Sequence, residues 1–197
     1  MKRRTLLALV PLAACTDPVS PRVYEPLRYD FLTPLRLNVG AIVVGDAPPP
    51  NALDPQNPAP PGPALRQMVQ DRLAAGGIAG QAVVSVVEAF ISAFRDGLDG
   101  AMALRLELFG PDGTSLGTTE ARVTRRLVGI PSGGLPGSLY DMTRLMLADM
   151  NVEFEFQLRR SLRPFLQEVS TAPPPPPVEQ VPLASPEPAS VSTPAPL

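Results

Sequence analysis

Residues 101–127 read AMALRLELFGPDGTSLGTTEARVTRRL, in which two alternating segments flank a strong turn signal. In the turn, Pro111 presets φ and the neighbouring glycines tolerate a positive φ. The arms, residues 102–108 and 116–127, are therefore predicted to pair as a β-hairpin with one buried face. That face comprises Met102, Leu104, Leu106 and Leu108 in the first arm and Ala121, Val123 and Leu127 in the second.

Two segments upstream of the hairpin also have the composition of strands. Residues 81–94 are rich in valine and apolar on both faces, which is typical of a central strand. The two predicted faces carry Val83, Val87 and Ile91 on one side and Val84, Val86 and Phe90 on the other. Residues 35–43 alternate apolar with polar side chains and are predicted to form one half-buried strand.

Two amphipathic helices complete the predicted elements. The first covers residues 64–75, with Pro63 in its first turn and Gly76 and Gly77 as its stop signal. Its apolar face consists of Leu65, Met68, Val69 and Leu73. The second covers residues 139–166, with Ser138 as its N-terminal cap and Pro164 in its last turn.

The second helix repeats an apolar side chain at every fourth position. The row is Met142, Met146, Met150, Phe154, Leu158 and Leu162. Each step advances about 40° beyond a full turn, so the row rotates by about 200° and a flat sheet cannot bury all of it. Either the chain itself covers the row, or the second half contacts a partner subunit. The partner-contact candidates are Phe154, Leu158, Leu162 and Phe165.

The order of these elements predicts an α+β fold, with a small mixed or antiparallel sheet of about four strands and two helices on one face. The domain spans residues 35–167 and contains a Pro-rich surface loop at residues 45–63. Residues 15–34 are expected to form an extended tether. Residues 168–197 are rich in proline and carry no lysine or arginine, which predicts a disordered tail.

The N-terminus has the pattern of an export signal. Basic residues at positions 2–4 precede the short apolar run 6–14, which is too short to span a bilayer. The run ends in Leu12, Ala13, Ala14 and Cys15, which resembles the lipobox of bacterial lipoproteins. The resemblance implies that residues 1–14 are removed as a signal peptide and that Cys15 carries diacylglycerol, usually with a further acyl chain such as palmitate. Several acyl chains hold a protein firmly on a membrane.

Composition limits the functions that remain. The chain has no histidine, and lipidation would use its one cysteine, so triads and dyads that need histidine, and a thiol nucleophile, are excluded. We therefore predict no enzyme activity, no cofactor and no metal site. Removal of the signal leaves 14 basic against 19 acidic residues, a net charge of about −5, which argues against nucleic-acid binding. The carboxylates of Asp149 and Glu153, four residues apart, are interpreted as a solvated helix face.

Four arginines are concentrated in the hairpin: Arg105, Arg122, Arg125 and Arg126. Arginine binds phosphate groups well, so this set is a candidate contact for an anionic ligand such as a lipid headgroup. The alternative is that Arg105 and Arg122 pair with Glu107 and Glu120 across the strands.

The lipobox and the element order together make the chain similar to small envelope-assembly lipoproteins, including auxiliary lipoproteins of ABC transporters that move lipids. Only the lipobox can be carried over residue by residue. The resemblance implies a membrane partner through the lipid anchor and an envelope protein complex as a further partner. Thr16 after the cysteine favours the periplasmic face of the outer membrane over the inner membrane. A lipid- or glycan-binding module and a cell-wall enzyme or enzyme activator are the alternatives, and the oligomeric state is left open.

Overall fold

The computed structural model describes residues 22–129 and 134–167, and within them seven strands and two α-helices form an α+β fold. The strands are β1 (Leu35–Leu37), β2 (Ala41–Val44), β3 (Leu73–Ala75), β4 (Gln81–Phe94), β5 (Gly97–Phe109), β6 (Ser115–Val128) and β7 (Leu166–Gln167). The helices are α1 (Pro61–Arg72) and α2 (Gly134–Ser161). The predicted signal peptide, the lipidation site Cys15 and the predicted disordered tail at residues 168–197 lie outside the described residues.

The larger sheet has the order β2-β4-β5-β6, in which β2 runs parallel to β4 and the other neighbours are antiparallel. The predicted mixed sheet of four strands with helices on one face is therefore confirmed. A second sheet in the described residues, with the order β3-β1-β7, was not predicted. It joins three short strands that are far apart in sequence.

The hairpin is confirmed and forms one half of the larger sheet. Strands β5 and β6 pair along nearly their whole length, and Gly113 in the turn has a φ of 81°. The four apolar side chains of the first arm are fully buried, as is Ala121 in the second arm. Val123 and Leu127 are half-buried and pack against the core. We call the helix-bearing face of the larger sheet the inner face and its opposite the outer face.

The single strand predicted at residues 35–43 is wrong, because the chain breaks it into β1 and β2, which belong to different sheets. The break occurs at Gly40, whose N–H lies 3.0 Å from the carbonyl oxygen of Ala79 and 3.1 Å from that of Gly80. A Cβ at Gly40 would sit only 3.0 Å from the backbone of Ile78. The close approach of two backbone segments, which glycine permits, therefore redirects the chain.

The first helix is shifted from its predicted position. Helix α1 begins at Pro61, since a proline at the first helical position loses no hydrogen bond, and it ends at Arg72. Leu73 then adopts an extended conformation, and Leu73–Ala75 pairs in parallel with β1. Strand pairing therefore ends the helix before it reaches the glycine pair that was predicted to stop it.

Strand β4 has the predicted bounds, but its two predicted faces are wrong. A β-bulge leaves Val87 without a partner between Val86 and Glu88. One extra residue exchanges the faces of the strand, so Val84 and Val86 are buried before the bulge and Ile91 is buried after it. Val87 is exposed, although the sequence pattern placed it on the same side as Ile91.

Helix α2 begins earlier and ends earlier than predicted. Ser138 is not its cap but lies inside the first turns, where its Oγ donates to the carbonyl oxygen of Gly134 at 2.9 Å. The helix ends at Ser161, and Pro164 belongs to a separate 3-10 turn, Arg163–Phe165. The six apolar side chains that recur at every fourth position of the predicted helix are all buried.

The predicted surface loop is anchored at several points. Within residues 45–60, Asp54 and Asn57 are buried. Asn57 Nδ2 donates to Thr143 Oγ1 of α2 at 3.0 Å, and Asn51 Nδ2 donates to the carbonyl oxygen of Ile91 at 2.8 Å. These bonds hold the proline-rich segment against α2 and β4, and the predicted loop ends at residue 60 because Pro61 begins α1.

Residues 22–34, which were predicted to belong to an extended tether, contact both helices. We call this segment the strap. Arg22 forms an ion pair with Asp141 of α2, and the Tyr24 ring lies 5.0 Å from the Tyr140 ring, centroid to centroid. Arginine and tyrosine side chains thus fasten a segment whose proline content predicted a spacer.

Candidate functional site

The predicted arginine set is divided between the two faces of the hairpin. Alternation along β5 and β6 places Arg105, Arg122 and Arg126 on the outer face, opposite Glu120, Ala103 and Asp99 in the register of the two strands. Arg125 lies opposite Gly100 on the inner face and pairs with Asp149 of α2, at an N–O distance of 2.6 Å. The four arginines therefore do not form one patch.

Each outer-face arginine already has a carboxylate partner. Arg105 lies 3.1 Å from Glu120, Arg122 lies 2.7 Å from Glu88, and Arg126 lies 2.6 Å from Asp99. The cross-strand pair of Arg105 with Glu120 matches the alternative prediction. Arg122 instead pairs with Glu88 of β4, which the sequence pattern did not indicate.

The pair of Arg126 with Asp99 is the most specific of these contacts. Two parallel hydrogen bonds join the guanidinium to the carboxylate, Nε to Oδ1 at 2.6 Å and Nη2 to Oδ2 at 2.8 Å. The hydrogen bonding holds the pKa of Asp99 below its ordinary value and raises the pKa of Arg126. Arg126 also lies over the ring of Phe94, 5.0 Å from its centroid. Both charges are therefore fixed in position on the outer face.

A shallow depression of about 410 Å³ lies beside these pairs. Its lining includes Phe90, Ala101, Thr124, Arg122 and Arg126. Small residues of β5 line its bottom, and the ring of Phe90 and the guanidinium groups of Arg122 and Arg126 surround it. The depression suits a small ligand with an apolar surface, and an anion there would have to compete with Asp99 and Glu88.

The charge balance leads to a prediction for membrane binding by the outer face. We expect the Cys15→Ser protein to bind anionic phosphatidylglycerol vesicles no better than neutral vesicles at physiological salt, because the arginines of its outer face are paired with carboxylates. Changing Glu88, Asp99 and Glu120 to the corresponding amides should free the guanidinium groups and create binding. Vesicle sedimentation measures both proteins.

Stronger binding of the Cys15→Ser protein to anionic than to neutral vesicles would contradict this expectation. If further changes of Arg122, Arg125 and Arg126 to serine then removed that binding, the arginine set would be an anionic-ligand contact after all.

The acidic pair on α2 does not converge on a common point. Asp149 is engaged by Arg125, and Glu153 accepts a hydrogen bond from Gln157 at 2.7 Å. Among the described residues, no group of three acidic, histidine or cysteine side chains could hold a metal ion. Asp149 and Glu153 therefore act as local partners on the helix surface.

The residues predicted to contact a partner lie in the core. Phe154, Leu158 and Leu162 are buried, and Phe165 is half-buried against the core. Glycines on the sheet leave room for the side chains of this row. A Cβ at Gly100 would collide with Met142 and Met146, and a Cβ at Gly117 would collide with Leu162. The first three candidates thus cannot meet a partner while the domain is folded.

Helix α2 instead exposes different apolar side chains, Leu145, Val152 and Phe156, which we call the α2 stripe. Val152 is 68% exposed and Phe156 is 54% exposed. The spacings of seven and four residues place all three on one side of the helix. The helical spacing of these three residues is visible in the sequence, but the predicted partner surface was chosen from the longer row that begins at Met142. Within the described ranges, neither helix combines the length and the apolar character needed to cross a membrane.

Comparisons with known proteins give only distant structural similarities. No family model and no curated protein matches the chain. Protein XCC0632 from Xanthomonas campestris, of the DUF330 family, matches 70% of this chain and 91% of its own at 10% identity, with a TM-score of 0.30. A Helicobacter pylori protein described as a neuraminyllactose-binding hemagglutinin homolog matches 73% and 94% at 7% identity, with a TM-score of 0.31. At such values neither protein's properties can be transferred to this chain.

Proposed function

We propose that this protein is a non-catalytic envelope lipoprotein, anchored through lipid on Cys15, that serves as a docking or accessory subunit of a membrane complex for lipid transport or outer-membrane assembly. The observation that carries the proposal is the lipobox at the end of a basic and apolar N-terminal signal. With Thr16 after the cysteine, the periplasmic face of the outer membrane is the proposed location.

The α2 stripe supports the docking role. Large apolar side chains that are exposed together on a rigid helix commonly mark a surface that a partner covers. The stripe lies on the helix that also receives the strap through Tyr140 and Asp141. A lipid anchor would restrict the domain to the membrane surface, so the stripe would meet a membrane-embedded partner at high effective concentration.

A second candidate function is binding of a lipid or glycan on the outer face. The depression beside Phe90 supports it, because an aromatic ring next to charged side chains can hold a ligand with both apolar and polar surfaces. In that case the outer-face ion pairs would orient the ligand through hydrogen bonds.

Affinity purification in mild detergent from the native envelope, followed by mass spectrometry, tests the proposal. We expect a transport or assembly complex to accompany the unmutated protein and to be lost from Cys15→Ser. The double change Val152→Ser and Phe156→Ser should also remove it, because a stripe without apolar side chains loses the surface that drives docking. Ile78→Ser is the matched control, since Ile78 is a fully exposed apolar side chain outside α2.

Three results would redirect the proposal. If Cys15→Ser recovered the complex as well as the unmutated protein does, the lipid anchor would not be needed for docking. Loss of the complex from Ile78→Ser as strongly as from the stripe variant would mean that the stripe is not the specific contact. Recovery of lipid or glycan alone would favour the binding module.

A further inference from the structure

The strap is held on the helices by contacts at its start and in its middle. At its start, Arg22 donates two hydrogen bonds to Asp141 of α2, at 3.1 and 2.7 Å, and Tyr140 Oη donates to the carbonyl oxygen of Glu25 at 2.9 Å. Further along, Asp71 of α1 accepts from Arg28 Nε at 3.0 Å and from the backbone N–H of Tyr29 at 2.9 Å. The strap therefore lies on the helix-bearing side of the domain.

The chemistry at Asp71 shows how firmly the strap is held. Burial of this carboxyl opposes its ionisation, but hydrogen bonds from Arg28, the Tyr29 backbone and Gln67 outweigh burial and lower its pKa. Asp71 is thus charged at neutral pH. An ionised and nearly buried carboxylate with several donors favours one position of the strap.

The strap fixes how far the domain can move from a lipid on Cys15. Only residues 16–21 separate Cys15 from Arg22. Seven peptide steps span at most about 25 Å when fully extended. Because Arg22 is bound to α2, this limit applies to the folded domain itself. The start of the strap must therefore stay close to the surface that holds the lipid.

The strap also exposes apolar side chains next to cations. Val23 is 85% exposed, and Phe31, stacked on Tyr29 at 6.2 Å between ring centroids, is 75% exposed. Arg22 and Arg28 are about half exposed beside them, and each is paired with a carboxylate, so the apolar side chains rather than net charge would drive membrane contact. Aromatic and aliphatic side chains interspersed with arginines are typical of segments that lie in the interface of a bilayer, where the apolar parts enter and the guanidinium groups stay among the headgroups.

We propose that the strap is a membrane-contact surface, with Val23 and Phe31 entering the headgroup region of the bilayer that holds the Cys15 lipid. The outer face of the larger sheet then points away from that bilayer, toward a ligand or protein in the aqueous space. This inference rests on the proposed lipid anchor, and it adds a fixed orientation of the domain.

Site-directed labelling of the full-length acylated protein in phosphatidylethanolamine and phosphatidylglycerol vesicles tests the orientation. Cysteine is introduced at Val23, Phe31 or Thr124 of the outer face and labelled with an environment-sensitive fluorophore. The chain has one native cysteine, so after acylation of Cys15 the new residue is the sole free thiol. We expect nitroxide lipids to quench most of the fluorescence at positions 23 and 31 and to leave the label at position 124 unquenched.

The results separate this inference from the anchor on which it rests. Flotation of the protein with vesicles but equal quenching at positions 31 and 124 would overturn the orientation alone. Stronger quenching at position 124 would reverse it. Failure of the unlabelled protein to float, together with an unmodified thiol on Cys15, would refute the anchor and the orientation together.

A strap-release variant provides the second measurement. Arg22→Ala combined with Asp71→Asn removes the ion pairs of Arg22 with Asp141 and of Arg28 with Asp71, while leaving Cys15 and its signal unchanged. We expect flotation to persist and the difference in quenching between positions 31 and 124 to shrink, since the domain would reorient on a longer tether. An unchanged difference would show that the strap contacts do not set the orientation.

Discussion

Replacing Phe154 with alanine is expected to lower the free energy of unfolding by about 3–5 kcal/mol, the usual cost of removing a phenyl ring from a packed core. Phe154 is 1% exposed and is among the largest fully buried side chains of the described residues. It belongs to the second half of the apolar row of α2, which was predicted from the sequence as a possible contact with a partner. The measurement is urea or thermal unfolding in the Cys15→Ser background, monitored by circular dichroism.

Phe156 provides the matched control for this change. It lies two residues away on the same helix and has the same side chain, but it is 54% exposed. Phe156→Ala should therefore change the free energy of unfolding by less than about 0.5 kcal/mol. Equal costs at the two positions would contradict the packing of α2. A small cost at Phe154 combined with loss of a co-purifying complex would restore the original partner-surface hypothesis.

The hairpin and β4 could be predicted because their signals are local. A period of two over many residues, a Gly-Pro-Asp-Gly turn and a valine-rich segment each specify structure without reference to distant parts of the chain. The bulge at Val87 has no comparable signal, since both faces of β4 are apolar. The sequence therefore predicted where the strand lies but not which side chains it buries.

The second sheet could not be predicted because its strands are only two or three residues long. Leu35–Leu37 pairs with Leu73–Ala75 on one side and with Leu166–Gln167 on the other. Segments of that length have no periodicity, and only the packed core brings them together. The same long-range pairing ends α1 at Arg72, and the close approach of residues 78–80 divides the predicted first strand at Gly40.

At the candidate site, the sequence predicted the type of residue but not its partners. Arg122 and Arg125 pair with Glu88 and Asp149, which belong to other elements. The strap was missed for a related reason. Its prolines predict an extended tether, but the pair of Arg22 with Asp141 joins residues 119 positions apart. The composition of a segment does not show which distant residues that segment contacts.

Replacing Arg72 with alanine is expected to lower the free energy of unfolding by about 3 kcal/mol, at the lower end of the cost of breaking a buried ion pair. The Arg72 side chain is 4% exposed, and it donates to Asn151 Oδ1 at 2.7 Å, to Glu155 Oε2 at 2.7 Å and to the carbonyl oxygen of Thr33. Its loss leaves acceptors of α2 and the strap without their donor. Partial exposure of Glu155 lets water compensate for some of the cost.

Arg159 tests whether burial, rather than charge alone, causes this effect. Its guanidinium binds the same Glu155 carboxylate at 2.8 Å, but its side chain is 58% exposed. Arg159→Ala should therefore cost less than about 0.5 kcal/mol. Equal destabilisation by the two changes in urea unfolding would show that Arg72 does not join the helices as described. Because Arg72 also holds Thr33, Arg72→Ala but not Arg159→Ala should speed proteolysis of the strap, linking the buried ion pair to the segment that we propose orients the domain on the membrane.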